Sequence, residues 1–397
     1  MLLLATKVWE QRKLNEATTR ILRKNKNLIS KRPLTISAQY GLIDQQAFFN
    51  KQVASSNLEN YLLLEKGEFA YNKSYSDGFP YGTIKKLNLY DNGAVSTLYI
   101  AFKANADINS DFLENLFSSN KWNNEVYKIA AEGARNHGLL NISPDDFFNI
   151  KITISKDSQE QAFISKFLRV FDNLLALYAK KSSCLDSCIA YFIRILYDDP
   201  QFFKQKNVQN SIIKSFKLDD ILIKNNAKNK DLSILNVESI SNKKGFISQK
   251  EQFDNYQVAS KDLSNYYVIH PKDFAYNPSR INVGSIAYKS PNDVKGIVSP
   301  LYVSFKCKND IVLDKYLWHW FKSTNFEHQR VRLSEGGVRD TLSFNQLSKM
   351  KISIPSFEIQ RQTINLLEIL IQYKEEVDLK LNNLKLIKNT LLQTMFL

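Results

Sequence analysis

The sequence is poor in the residues from which metal and redox sites are built. Only three cysteines occur in 397 residues, Cys184, Cys188 and Cys307. They cannot all pair, and no histidine or further cysteine stands at ligand spacing from the first two. A disulfide framework is therefore not expected, and reduced core thiols are the expectation over a metal pair. The four histidines, His137, His270, His319 and His328, are scattered, and His319, between Trp318 and Trp320, reads as a packed core or interface residue. No apolar run approaches the length that crosses a bilayer, and residues 1–5 are too short for a secretory signal. A soluble, cytoplasmic chain is expected.

Signatures of catalysis are missing as well. Gly133 and Gly138 have the spacing of a phosphate loop, but Leu139 and Leu140 stand where lysine and serine or threonine are required. No G-x-G-x-x-G follows a strand, and neither H-E-x-x-H nor G-x-S-x-G occurs. Asn277, Pro278, Ser279 and Arg280 begin like the Asn-Pro-Pro-aromatic loop of amino-methyltransferases but lack its second proline and its aromatic residue. No spacing of acidic residues identifies a nuclease. These absences point towards binding.

What is present is charge and apolar bulk. Lysines and arginines number 54 against 40 acidic residues, a formal net charge of +14, and they are spread along the chain. That distribution suits a broad surface facing a polyanion. Lysine-rich sequences also arise from nucleotide bias, so charge alone leaves nucleic-acid binding open. A hydrophobic fraction of 44%, with 12% aromatic, is ample for packed cores, and the length suits two or three domains.

The chain reads as one plan used twice. In the first half, strand patterns fall at 34–37, 61–64, 69–71 and 96–102, with turns at Asp77-Gly78 and Asn92-Gly93. A helical pattern covers 110–127, a glycine-bearing loop 132–138, and a short strand 150–154. Phe69-Ala70-Tyr71-Asn72 returns as Phe274-Ala275-Tyr276-Asn277. Lys151-Ile152-Thr153-Ile154 returns as Lys351-Ile352-Ser353-Ile354, Glu132 to Arg135 as Glu335 to Arg339, and Gln159-Glu160-Gln161 as Gln360-Arg361-Gln362. Matches in one order at a nearly constant offset mark an internal duplication.

Each copy ends in a long helix. Residues 159–197 carry Ile164, Leu168, Phe171, Leu175, Tyr178, Leu185, Ile189, Phe192 and Leu196 at helical spacing, with no proline or glycine. At about 1.5 Å per residue this helix is about 58 Å long. Residues 358–395 carry a second stripe, in which Lys374 and Lys388 fall in the seam and weaken it. Two such stripes bury each other, and connectivity makes the helices antiparallel. The expected fold is α+β, with globular domains at 1–157 and 201–356, long helices at 158–200 and 357–397, and an internal pseudo-twofold axis.

Trp9-Glu10, then Lys13-Leu14, the Phe-Ala-Tyr-Asn strand, the Glu335 to Arg339 loop and the run from Lys351 to Gln362 before a long helix, taken twice, resemble the specificity subunit of type I restriction-modification systems. The likeness covers essentially the whole chain. The first half departs from it where no proline follows Ile154 and where His137 and Gly138 extend the loop. The resemblance implies two target recognition domains on a coiled-coil spacer, each reading half of a bipartite site in double-stranded DNA. It also implies that the chain itself is non-catalytic. Two methyltransferase subunits would bring S-adenosylmethionine, and two restriction subunits would bring ATP- and Mg2+-dependent translocation. Candidate DNA-binding residues are Lys73, Tyr75, Lys85, Lys86, Arg135 and His137 in the first half and Arg280, Lys289 and Arg339 in the second. Phe163, Phe167, Leu177 and Tyr191, apolar residues off the helix seam, are candidates for binding partner subunits. The rival readings are a nuclease with an unrecognised carboxylate site and a protein-binding adaptor.

Overall fold

A computed structural model describes residues 8–38, 40–49, 57–75, 78–130, 140–199, 213–242, 244–249, 262–334 and 341–396. The chain divides into two compact units, the first Met1–Lys180 with Asp378–Leu397 and the second Lys181–Val377. The long helices are thus shared between the units instead of standing apart from them. Their ends are apolar enough to enter the cores: Ile164, Leu168, Leu392, Met395 and Phe396 in the first unit, Ile193, Leu196, Ile359 and Leu367 in the second.

In the first unit, Trp9–Lys13 pairs antiparallel with Lys151–Ser155, closing the domain just before the helix leaves it. A four-stranded antiparallel sheet follows in the order Thr18–Arg20, Ile100–Ala104, Phe69–Asn72, Thr83–Lys86. The Phe-Ala-Tyr strand explains its own sequence. Successive side chains alternate faces, so Phe69 and Tyr71 enter a helix-backed aromatic core while Ala70, with Ala101, meets a second core on the other face. Large residues fill the side packed by helices, and small alanines face the core that holds the Leu34–Ser37 hairpin and the Leu62–Glu65 and Asn92–Val95 strand pair.

The second unit repeats this arrangement. Lys214–Lys217 pairs with Lys351–Ile354, and the sheet order is Leu222–Lys224, Val303–Cys307, Phe274–Tyr276, Ile286–Tyr288. Phe69 lies opposite Phe102 with stacked rings 5.2 Å apart, and Phe274 lies opposite Phe305, also stacked at 5.2 Å. One pairing differs between the units. In the second unit Val237–Ser241 pairs in parallel with Gly296–Val298, completing a four-stranded sheet. In the first unit this pairing shrinks to a single bridge between Pro33 and Ala94.

The first long helix is Ser158–Ile193, its last turn widening into a π segment at Arg194–Asp198, and the second is Phe357–Met395. In the first unit Lys388 pairs with Asp172, and in the second Lys374 pairs with Asp186 at 3.3 Å. One step of two heptads runs forward on one helix and backward on the other, which is antiparallel pairing. The two seam lysines therefore do not weaken the seam as expected, since each finds an aspartate on the facing helix.

Each helix is latched to its domain by one buried glutamine. Gln161 accepts from the backbone N–H of Asn109 at 2.7 Å and donates to the Ser155 carbonyl at 2.9 Å. Gln360 accepts from the N–H of Leu313 at 2.8 Å and donates to the Pro355 carbonyl at 3.0 Å. The structural equivalent of Gln360 is therefore Gln161 and not Gln159, which corrects the sequence alignment by two residues.

Other expectations shift. The strand expected at 96–102 starts only at Ile100, and Asn92-Gly93 is not a turn but opens the strand Asn92–Val95. Gly93 is required there because a Cβ would lie 2.1 Å from Leu34 Cδ1. The helical pattern at 110–127 is two helices, Ser110–Ser118 and Asn123–Ala130. Cys307 is a buried thiol that burial pushes up to about 12, but Cys184 is exposed on the long helix and is not a core residue.

Candidate nucleic-acid interface

The turn that follows the Phe-Ala-Tyr strand meets the same partner in both units. In the first, Lys73 accepts at its carbonyl from Leu140 N–H at 3.0 Å, and its ammonium donates to the Ile142 carbonyl at 3.0 Å. In the second, the Pro278 carbonyl accepts from Leu342 N–H at 3.1 Å, and Tyr276 donates its hydroxyl proton to the Leu342 carbonyl at 2.9 Å. Leu140 and Leu342 follow the glycine-bearing loops that carry Arg135, His137 and Arg339. Those three residues lie outside the described residues. The turns that carry Lys73 and Tyr75, and Arg280, are thus brought to the chain just beyond these loops.

The sequence candidates fare unequally. Tyr75 is 61% exposed, and Arg280 is exposed beside a shallow cleft of about 720 Å³ with Asn277, Ser279 and Asn282. Lys85 is half-buried in a cleft of about 440 Å³ that also receives Lys385 and Lys388. Burial lowers its pKa, with Glu114 opposing and Lys388 adding to the shift.

Two candidates are corrected. The Lys86 side chain is only 4% exposed and is held between Asp111 and Glu114, the latter at 2.7 Å. The Lys289 side chain is 1% exposed, with both Glu238 oxygens within 2.8 Å. A buried, paired ammonium has no free surface to offer a phosphate. Sequence reading missed this because burial follows from strand register: Lys86 lies opposite Phe69, and Lys289 follows directly on Tyr288, which lies opposite Phe274.

The helices' off-seam residues behave differently. Phe163, Leu177 and Tyr191 are 51%, 60% and 55% exposed, and Phe163 stacks on Phe167 at 6.0 Å. Phe167 itself is partly buried against the first unit's core.

Each domain is pinned to its helix by an ion pair at the same place with opposite polarity. Asp111 pairs with Arg169 in the first unit, and Lys315 pairs with Glu368 at 2.5 Å in the second. Burial pushes the Asp111 carboxyl up, but Lys86 and Arg169 together hold it below the usual range. Glu368 is held down at about 2, first by the hydrogen bond from His319 and then by Lys315. His319 is fully buried, its Nε2 is 3.0 Å from Glu368, and its Nδ1 is a buried atom without a hydrogen-bond partner among the described residues. Burial lowers its pKa. It is a packed residue, as its tryptophan neighbours suggested.

Exposed cations recur at equivalent positions in the two units: Arg20 and Lys224, Lys24 and Lys228, Lys26 and Lys230, Lys103 and Lys306. Among the described residues no group of three or more His, Cys, Asp and Glu side chains could hold a metal ion, and no helix is long and apolar enough to cross a membrane.

The geometry defines a class: a duplicated two-domain α+β chain built on long helices, with exposed cations at equivalent positions on both copies. Comparison adds what this fold and part of the sequence are similar to. Residues 210–386 match the family described as type I restriction modification DNA specificity domain. The fold matches the S subunit of a type I restriction-modification system from M. genitalium at 16% identity, covering 100% of this chain and 98% of that one, with a TM-score of 0.59. A second solved chain, from work on complex assembly and conformational transition of the type I restriction-modification system, matches at 14% identity. It covers 97% and 96% of the two chains, with a TM-score of 0.56. No curated protein matches the sequence. The match lies in the second half of the chain, and the first half repeats the strand pairings, sheet order and glutamine latch of that half.

Proposed function

We propose that each unit reads one half of a bipartite site in double-stranded DNA, and that the two long helices set the spacing between the halves. The observation that carries this reading is the duplication itself. One folded domain occurs twice, with exposed cations at equivalent positions, and each copy is latched by a glutamine to a helix that continues into the other unit. Exposed Lys and Arg anchor phosphates, while polar and aromatic side chains of the turns at 73–75 and 277–284 and of the neighbouring loops read base edges.

The chain contributes no catalytic group of its own in this reading. Methyltransferase subunits, docked along the exposed helix faces at Phe163, Leu177 and Tyr191, supply S-adenosylmethionine and the methylating site. Restriction subunits supply ATP- and Mg2+-dependent translocation and cleavage, all in the cytoplasm. The test is methylation mapping by single-molecule sequencing in a host carrying the chain and its partners. A bipartite methylated motif is expected. Inserting about one helical turn, four residues, after Ala179 and at the facing point of the second helix is expected to lengthen the unread spacer. A spacer unchanged by the insertion overturns the ruler, and a continuous motif overturns two-domain reading.

A further inference from the structure

Both units contain a short loop that the sequence patterns did not single out. Lys24-Asn25-Lys26-Asn27-Leu28 in the first recurs as Lys228-Asn229-Lys230-Asp231-Leu232 in the second. The loop is built the same way each time, around an asparagine exposed by no more than 1%. Asn25 donates from Nδ2 to the Ser30 carbonyl at 2.8 Å and accepts at Oδ1 from Ser30 N–H at 2.8 Å. Asn229 donates to the Ile234 carbonyl at 2.8 Å and accepts from Ile234 N–H at 3.2 Å. The backbone N–H of each asparagine donates to a tyrosine carbonyl, Tyr61 at 2.9 Å and Tyr266 at 3.0 Å. Lys24 and Lys228 reach across to Asn60 and Asn265.

What this clamp presents is unusual. Leu28 and Leu232 both have positive φ, 51° and 56°, a conformation that leucine adopts only under constraint. Neither is repaid by burial, since they are 38% and 49% exposed. Lys26 and Lys230 are exposed and make no hydrogen bond or ion pair among the described residues. Asp231, the one acidic member, is turned to Ser233, whose hydroxyl lies 3.0 Å away. A left-handed conformation kept at the same place in both units, on largely exposed leucines, points to a functional position.

We infer that these twin loops are DNA-contacting elements, one per recognition domain, in which the lysines hold phosphates and the leucine enters the groove between them. An exposed apolar side chain two residues beyond an exposed lysine, in both units, fits a duplex better than a protein surface. The backbone supplies anions on both sides, and the groove accepts an apolar wedge. The inference rests on the DNA-reading function proposed above.

The experiment uses the full chain with its methyltransferase subunit and a fluorescent random-sequence duplex titrated across salt concentrations. Lys26→Ala/Lys230→Ala is expected to bind more weakly, with a log–log salt slope shallower by about 1.8, about 0.9 for each phosphate no longer neutralised. Leu28→Gly/Leu232→Gly removes the wedge and relieves the strained φ, so its melting temperature is expected to hold or rise while affinity falls at an unchanged salt slope. Wild-type binding with both variants indistinguishable from it overturns the loop assignment and leaves the DNA-reading function standing. Failure of the wild-type complex to bind duplex DNA overturns the function itself.

Discussion

Replacing Lys289 by leucine probes how the second unit came to bury a charge. The two units place different residues at one pair of positions. Leu34 and Glu238 occupy equivalent sites on their hairpins, and Leu87 and Lys289 occupy the same turn, each bonding through N–H and carbonyl to the residues around Gly67-Glu68 or Lys272-Asp273. Leu34 and Leu87 are buried in an apolar cluster, whereas Glu238 and Lys289 form a buried ion pair. With side chains 9% and 1% exposed, solvent does not screen that pair. Lys289→Leu strands a carboxylate, whose cheapest escape is to take a proton.

Starting from an ordinary glutamate near 4.3, protonation costs about 3.7 kcal/mol at pH 7 and about 1 kcal/mol at pH 5. The stranded group favours the folded state only when protonated, so the deficit grows as pH rises. Glu238→Leu/Lys289→Leu restores the first unit's apolar pair and is expected to lie between neutral and about 4 kcal/mol more stable than wild type. Gly296 already leaves room at this site, since a Cβ there would lie 2.6 Å from the Glu238 carboxyl. The assay is urea-dependent hydrogen exchange of Val237–Ser241, which isolates the second unit. A double variant as unstable as the single one, or a single-variant deficit independent of pH, refutes the reasoning.

Three other outcomes are expected. Gln161→Leu leaves Asn109 N–H and the Ser155 carbonyl without partners and should cost the first unit about 2–4 kcal/mol in urea denaturation, with Gln360→Leu doing the same to the second. Gly93→Ala forces a Cβ against Leu34 and should cost about 1–3 kcal/mol in the wild-type chain, but much less when introduced into Leu34→Ala, which carries its own cavity cost. His319 and Glu368 both have pKa values below their ordinary ones, so both contribute stability that is lost as pH falls, His319 from about 6.5 downward and Glu368 between about 4.5 and 2. The urea midpoint of the second unit should therefore fall between pH 7 and about 5.5, and His319→Asn should flatten that slope.

Much of this chain could be read without coordinates because its signals are periodic or repeated. The stripe from Ile164 to Leu196 and its counterpart from Leu367 to Met395 announce two long helices, since a 3.6-residue period is a local property. The returning Phe-Ala-Tyr-Asn and Lys-Ile-Thr/Ser-Ile strands announce a duplication, since shared ancestry is written in order and offset. Those features also carried the resemblance to the specificity subunits.

Facing partners could not be read. Lys86 and Lys289 resemble any surface lysine until strand register turns them inward onto Asp111 and Glu238. Lys374 and Lys388 look like flaws in a seam until the antiparallel helix sets an aspartate against each. Gln161 displaced Gln159 as the latch because only the backbone of Asn109 decides which glutamine is in reach. The Lys-Asn-Lys loops passed unnoticed because their mark is a positive φ on an exposed leucine, a property of conformation and not of composition. Sequence by itself determined period and duplication, and it carried the resemblance to the specificity subunits. Tertiary structure decided which charges are buried, paired or free, because desolvation and pairing depend on neighbours far away along the chain.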